Sequence, residues 1–518
     1  VTARVAEAKG ADSPIATPAA DAIGPASSMR AVVMVLSALT AALGALMLVP
    51  AFVSMLGARP GAPEDARAFA LCAAAFILLG AGGALATRGP IGVVGPRDGF
   101  VIIALSWLVL CAGAAAPLAI GPMDLTRIDA FFESVSGLTT TGATVVTGLD
   151  AAPEGFLIWR AMLQWIGGVG VVIMAIAVMP FLSVGGMQLF RLESSDRSDQ
   201  LAPRAKEVAA EIFRLYLLFT LACVVLYRIA GMGGFDAFAH AMTTISTGGF
   251  STHDASFGHF ADRPALDAIA IFFMIVGGLP FGVFMLMARG RADAWRSDPQ
   301  LGTFFLVLAA AVLLVAPDAA AVRDGGPTDA FRAAAFNVAS VVTGTGYATD
   351  DYGLWGPFAV ALFFCLTFLG ACAGSTSCGM KIFRLQIVFA AVRLYARRLT
   401  HPHAVSTAIY NRRPVSEEDF TSVLSFVFVY FAVFATLAAA LGLLGLDPTT
   451  ALSASATAIA NVGPGLGDVV GPAGNFQTLS ETPWRSDAAK VLLTFGMLLG
   501  RLEFFAILVL LTPAFWRH

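Results

Sequence analysis

Threonine, serine, asparagine and glycine recur in four short stretches of the chain: LTTTGAT (138–144), ISTGGFS (245–251), VTGTGYA (342–348) and ANVGPGLG (460–467). Small residues, hydroxyls and a glycine in this setting suit an extended loop whose carbonyls face a cation. Glycine is needed where φ must be positive to keep successive carbonyls pointing inward. Several such loops around one axis form rings of oxygens that replace the hydration shell of an alkali cation. We align the loops on Gly142, Gly248, Gly346 and Gly463. The residues before them, Thr140 and Thr141, Ser246 and Thr247, Gly344 and Thr345, Asn461 and Val462, then supply the neighbouring carbonyls. Any one of these stretches taken alone reads more readily as an ordinary turn between helices. Four occurrences in one topological setting favour a shared role.

Each stretch follows a short segment that opens with Asp and continues with small and apolar residues, so a short helix leads into each loop. Its partly negative C-terminal end points toward the cation position. Phe131 and Phe132, Phe238, and Phe331 and Phe336 are expected to give the first three short helices apolar contacts. The fourth, Thr449 to Ile459, is nearly all Ala, Ser and Thr and permits close approach. Glu133 and His240 lie on these helices and read as hydrogen-bonded braces rather than proton carriers.

The elements that must position the loops are long and apolar. Of the 518 residues 57% are hydrophobic and 13% charged, and the mean hydropathy is +0.78. Soluble domains carry about 25% charged residues, so the chain is read as an all-α polytopic membrane protein. Runs at 31–57, 67–87, 99–120, 156–182, 209–231, 265–288, 301–317, 355–372, 420–446 and 489–513 approach the ~20 residues of a spanning helix. A further segment, 382–396, follows the eighth run and completes an interrupted span. With the N-terminus inside, 21 of 32 Lys and Arg residues fall on the cytoplasmic side, as the positive-inside tendency requires. That orientation puts both termini in the cytoplasm and all four loops on the outer half. The expected division is a disordered tail (1–29), two extra helices (30–98), and four helix–loop–helix repeats at 99–208, 209–300, 301–416 and 417–518. The third repeat includes a basic connector, 381–413. Six cysteines without zinc-type spacing read as buried free thiols. The net charge of −3, with basic residues spread between apolar runs, gives no basis for nucleic-acid binding.

Two features lie on the inner side of the loops. Gly370, Gly374 and Gly379, with Ser375, Thr376 and Ser377, interrupt an apolar span. By composition they are either unwound backbone facing a cavity or a small-residue packing seam. Arg501 falls in the middle of the last run, where a charge costs ~2.5–3.5 kcal/mol on insertion scales and faces a bundle interior or aqueous path. Pairing with a carboxylate is the alternative. Glu503 is a poor partner, because residues two apart on a helix face different ways.

The four loops, together with QWIGGVGVVIMAIAVMP (164–180), GACAGSTSCGMKIFR (370–384), HPHAV (401–405) and LLGRLEFFAILVLLTPAFWR (498–517), resemble the superfamily of Trk, Ktr and plant HKT potassium transporters, and within it the bacterial TrkH membrane subunit. The resemblance covers about residues 30–518. It implies four repeats around one central pore, a homodimer in the bacterial inner membrane, and potassium as the transported substrate, with no covalently bound cofactor. It also implies regulation by a cytosolic nucleotide-binding ring of the TrkA type. Gly370 to Gly379 then form an intramembrane gate, and Arg501 projects beneath the filter. Glycine at all four aligned positions points to potassium rather than sodium. Val462 makes the ring chemically uneven, and Cys378 stands where another glycine is expected. A sodium- or proton-coupled symporter of the same superfamily is the second reading. A polytopic enzyme is the third, and it lacks any HExxH, Ser/His/Asp or paired-carboxylate arrangement within the spans.

Overall fold

The computed structural model describes residues 25–89, 96–174, 201–403, 407–411, 413–472 and 474–517. Among these the protein is helical, with one two-residue hairpin pairing Ile409–Tyr410 with Arg413–Pro414 in the connector. Seven helices are long and apolar enough to cross a membrane: Met29–Leu56, Ala62–Ala86, Arg97–Ile120, Glu154–Ile173, Lys206–Ile229, Pro299–Val322 and Glu417–Leu443. Their outward faces carry large apolar side chains such as Phe428 and Leu443, 75% and 87% exposed. The interior holds Ser136, Thr141, Thr243, Thr343 and Thr457, all fully buried. Apolar outside and hydroxyl-rich inside is the polarity of a protein solvated by lipid.

Three expected spans are broken. The run 265–288 is two helices, Pro264–Gly278 and Phe281–Ala288, bent by 91°. Pro280 lacks an N–H and pushes Leu279 into extended geometry (φ −86°, ψ 155°), so the helix cannot continue. The run 355–372 is helical only over Pro357–Thr367, and the chain then unwinds before resuming as Ile382–Thr400. The last run is helical over Pro483–Arg501 and stops where Glu503 and Phe504 take φ of 58° and 52°. The first helix begins at Pro25, inside the stretch expected to be disordered. Residues 1–24 and 175–200 lie outside the described residues.

The four short helices are Arg127–Leu138, Gly234–Ile245, Gly326–Thr343 and Pro448–Ala460. Side chains cap two of their starts. Thr126 accepts from the Asp129 N–H at 3.1 Å, and Asp447 accepts from the N–H groups of Thr449 and Thr450, each at 3.0 Å. Each short helix packs on the long helices of its own repeat and on the second helix of the repeat before it. The first packs on Pro483–Arg501, near the end of the chain, so the arrangement closes on itself. Phe132 and Phe336 are buried as expected, whereas Phe238 and Phe331 point outward, 45% and 50% exposed.

Candidate cation site formed by four loops

Backbone angles set the register of the loops. Gly142, Gly249, Gly346 and Gly463 have φ of 83°, 78°, 81° and 106°. Two residues earlier, Thr140, Thr247, Gly344 and Asn461 have φ of 54°, 50°, 73° and 53°. The residue between them donates its N–H to a hydroxyl residue five positions back. Thr141 bonds the carbonyl of Ser136 (2.9 Å), Gly248 that of Thr243 (2.9 Å), Thr345 that of Ser340 (2.8 Å) and Val462 that of Thr457 (3.2 Å). The second loop is therefore displaced by one residue from the alignment on Gly248. Gly249 is the counterpart of Gly142, and Gly248 occupies the place of Thr141. In ISTGGFS two adjacent glycines satisfy the same pattern, and only φ separates them.

The loops dovetail around a closed circuit. A Cβ on Gly142 would lie 2.2 Å from the Gly248 carbonyl oxygen. One on Gly249 would meet the Thr345 oxygen at 1.9 Å, one on Gly346 the Val462 oxygen at 1.9 Å, and one on Gly463 the Thr141 oxygen at 2.8 Å. Four equivalent carbonyls thus each lodge against the glycine of the neighbouring loop. Glycine is required twice over, by positive φ and by the absence of room.

Side chains behind the ring hold it in shape. Gln164 donates Nε2 to the Gly248 carbonyl (2.5 Å) and accepts from the Phe250 N–H (3.0 Å). Glu133 accepts from Thr144 and from the Val145 N–H (3.0 Å), and pairs with Arg160 at 2.7 Å, both side chains fully buried. Arg160 also donates to the Ser251 carbonyl (2.8 Å) and lies 4.0 Å over the Phe250 ring, linking the first two loops. His240 bridges the Asp236 carbonyl and the Ser251 hydroxyl. Glu133 and His240 are the braces the sequence suggested. Arg160 and Gln164 were not singled out, although a basic and an amide residue one turn apart on an apolar helix were the available signal. Asn461 closes the ring by donating Nδ2 to the Thr141 hydroxyl (2.8 Å) and the Met497 carbonyl (3.0 Å).

On one side of the ring, Gly370 to Gly379 fold as irregular backbone rather than a helical seam. Thr376 donates its N–H (3.1 Å) and hydroxyl (2.9 Å) to the Gly277 carbonyl, and its hydroxyl accepts from Thr247 at 3.1 Å. The segment thereby touches the second loop. Gly374 accepts from the Phe281 N–H, and the Ser377 hydroxyl accepts from Ala371. Ser375 donates to the Cys372 carbonyl, and Gly379 takes φ 71°. Arg501 is 2% exposed and reaches across to this segment. Its NH2 donates to the Gly167 carbonyl at 2.7 Å, and its NH1 contacts Cys378 Sγ at 2.5 Å and the Thr376 carbonyl at 3.4 Å. Glu503 pairs with Arg384, not Arg501. Lys381 donates to the Ser377 carbonyl. A cavity lies between, lined by Ser377, Cys378, Lys381, Tyr430, Arg501 and Phe504. All six cysteines are free, and Cys365 is exposed on the apolar surface where burial was expected.

A vestibule is bounded by Gly142, Gly249, Gly346 and Gly463 and by His253 and Asp254. Burial lowers the His253 imidazole, but the carboxylates of Asp236 and Asp150 outweigh this and hold it above its usual value.

The fold and these loops define a multi-pass helical membrane protein. The pattern of the TrkH family, described as cation transport protein, matches residues 66–517, and the chain belongs to that family. It is 43% identical to the Trk system potassium uptake protein TrkI of Halomonas elongata over 489 residues, 94% of this chain and 97% of that protein. It is 37% identical to the Trk system potassium uptake protein TrkH of Salmonella typhimurium, covering 94% and 99%. The crystal structure of the potassium transporter TrkH from Vibrio parahaemolyticus superposes with a TM-score of 0.84 at 34% identity, covering 94% of this chain and all of that one.

Proposed function

We propose that this chain carries potassium inward across the bacterial inner membrane through one pore encircled by its four repeats. The observation that carries the reading is the closed circuit of glycine and carbonyl contacts, repeated once per loop. Rings of carbonyl oxygens at fixed spacing replace water around an alkali cation. The C-terminal ends of four short helices add negative potential at the same place. In this reading the filter is Thr140 to Gly142, Thr247 to Gly249, Gly344 to Gly346 and Asn461 to Gly463, with Ser246 just inside. The 370–379 segment and Arg501 form the barrier beneath it. The names of the relatives support potassium as the ion and transport, rather than catalysis, as the activity. The Trk-system name and the basic connector favour a cytosolic nucleotide-binding ring as regulator, acting on a homodimer with cytoplasmic termini.

The test is growth of a potassium-uptake-deficient bacterium on low potassium, with the chain expressed alongside its cognate regulatory subunit. Rescue by the wild type and loss or sodium leakage with Gly346→Ser support the reading. Failure of the wild type to rescue, with protein present in the membrane, overturns it. Rescue that requires external sodium replaces it with sodium-coupled symport.

A further inference from the structure

We infer that His253, His259 and Asp150 form a transition-metal site on the rim of the vestibule, with zinc as the ion that fits its donors. Each residue offers one ligand atom, and the three atoms lie within 4.8 Å of one another. None of the three belongs to the carbonyl ring. The cluster joins two repeats, since Asp150 follows the first loop and both histidines follow the second.

The arrangement is built rather than incidental. The His253 and His259 rings stack with centroids 3.5 Å apart and planes within 3°. Phe260 packs edge-on against both, at 5.4 and 5.0 Å. That phenyl is buried, and it fixes the short turn Ser256–Phe260 that carries His259. His253 is itself only 8% exposed. Its Nδ1 lies 2.5 Å from Asp150 Oδ1. On the other side of the ring, Nε2 is buried without a hydrogen-bond partner and faces Asp236 Oδ2 at 3.6 Å. Asp236 is held in turn by the Thr252 hydroxyl at 2.8 Å. With its proton on Nε2, on the Asp236 side, the neutral ring offers the Nδ1 lone pair to a metal that takes the place of the direct Nδ1–Asp150 contact. A carboxylate behind a ligating imidazole is the common outer support of zinc sites.

Two imidazoles and a carboxylate suit zinc, with bonds of about 2.0–2.2 Å and water in the fourth position. Two parallel stacked rings cannot both aim an in-plane lone pair at one ion, so binding requires the exposed His259 ring to turn out of the stack while Asp150, also exposed, closes and His253 stays the fixed ligand. Because His253 lines the vestibule with the four loop glycines, a bound dication places positive charge beside the entrance. Zinc outside the cell then slows cation entry. This second statement rests on the pore reading above, whereas metal binding does not.

The experiment titrates the purified full-length protein in detergent with zinc alone, and with cobalt for its ligand-field absorption. Wild type, His259→Ala and Asp150→Asn are compared, with thermal unfolding of the zinc-free proteins as the control for folding. One zinc per chain in the wild type, at least about tenfold weaker in each variant at unchanged unfolding temperature, is the expected result. No binding by the wild type, or equal binding by His259→Ala, overturns the site. Rubidium tracer uptake into proteoliposomes with external zinc forms the second arm. Inhibition of the wild type but not of His259→Ala is expected. Residue-dependent binding without inhibition overturns the effect on entry and leaves the metal site standing. Absence of uptake in zinc-free wild type counts against the pore itself.

Discussion

The ring of loops and the barrier beneath it are built from different materials. In the ring, backbone meets backbone four times over, and each contact repeats at the equivalent position of the next loop. In the proposed barrier, a single arginine side chain meets one irregular segment through the Thr376 carbonyl and the Cys378 thiol, and reaches the Gly167 carbonyl on another helix. Backbone carbonyls pinned by neighbouring glycines cannot adapt without moving the whole circuit, which suits a task of fixed geometry. One long side chain held by a carbonyl and a thiol can change rotamer locally. In the proposed reading, recognition lies in the symmetric, rigid part and control in the asymmetric one.

The sharpest way to break this comparison is within the second loop. Gly249→Ala puts a Cβ 1.9 Å from the Thr345 oxygen at φ 78°, so uptake and assembly should be lost. Gly248→Ala meets mainly the Gln164 side chain at 2.4 Å, without positive φ, and should retain folded protein. Equal damage in size-exclusion and tracer-uptake assays would refute the one-residue register. Next is Glu133→Gln, which leaves Arg160 buried without its anion and should cost about 3–5 kcal/mol, read as a lowered unfolding temperature. A neutral outcome would mean that the ring does not depend on its brace. Arg501→Ala removes the asymmetric element and should raise flux roughly tenfold, a barrier change of ~1.4 kcal/mol, while stability of the ring is kept. Unchanged flux at normal expression would remove the barrier from the mechanism. An effect of similar size, on stability rather than flux, is expected for Asn461→Leu, which deletes two buried hydrogen bonds at a cost of about 1–3 kcal/mol, measured by thermal unfolding with and without potassium.

Much of the fold was legible because membrane solvation leaves a coarse signature: long apolar runs, and glycine with hydroxyls between them. Positive φ at Gly142, Gly346 and Gly463 follows from motifs in which no second glycine adjoins the aligned one. The doublet at Gly248 and Gly249 carries no such information, since both residues tolerate either geometry. Hydropathy could not locate the break after Gly278 either, because both halves are equally apolar. The local sign was the sequence Gly-Gly-Leu-Pro at 277–280, whose proline denies the helix a donor. Arg160 escaped notice because its partner Glu133 is 27 positions away, and charge in a span was sought only at Arg501. Glu503 does not pair with Arg501, but the reason is not helical facing, since the helix ends at Arg501 and Glu503 takes φ 58°. Its real partner, Arg384, comes from another repeat.

The seam between the last and the first repeat has a consequence for biosynthesis. Lys490 pairs with Asp129 at 2.5 Å across 361 positions of sequence, and the Asn461 amide reaches Thr141 across 320. Translation delivers these partners at opposite ends of its schedule. Until Pro483–Arg501 leaves the ribosome and docks, the short helix Arg127–Leu138 is uncovered on one side. A chain stalled before that helix would sit in the bilayer with all four loops but an open flank, exposing polar groups to lipid. Pro483–Arg501 therefore completes the enclosure of the first short helix, and a copy lacking it keeps that flank open to lipid.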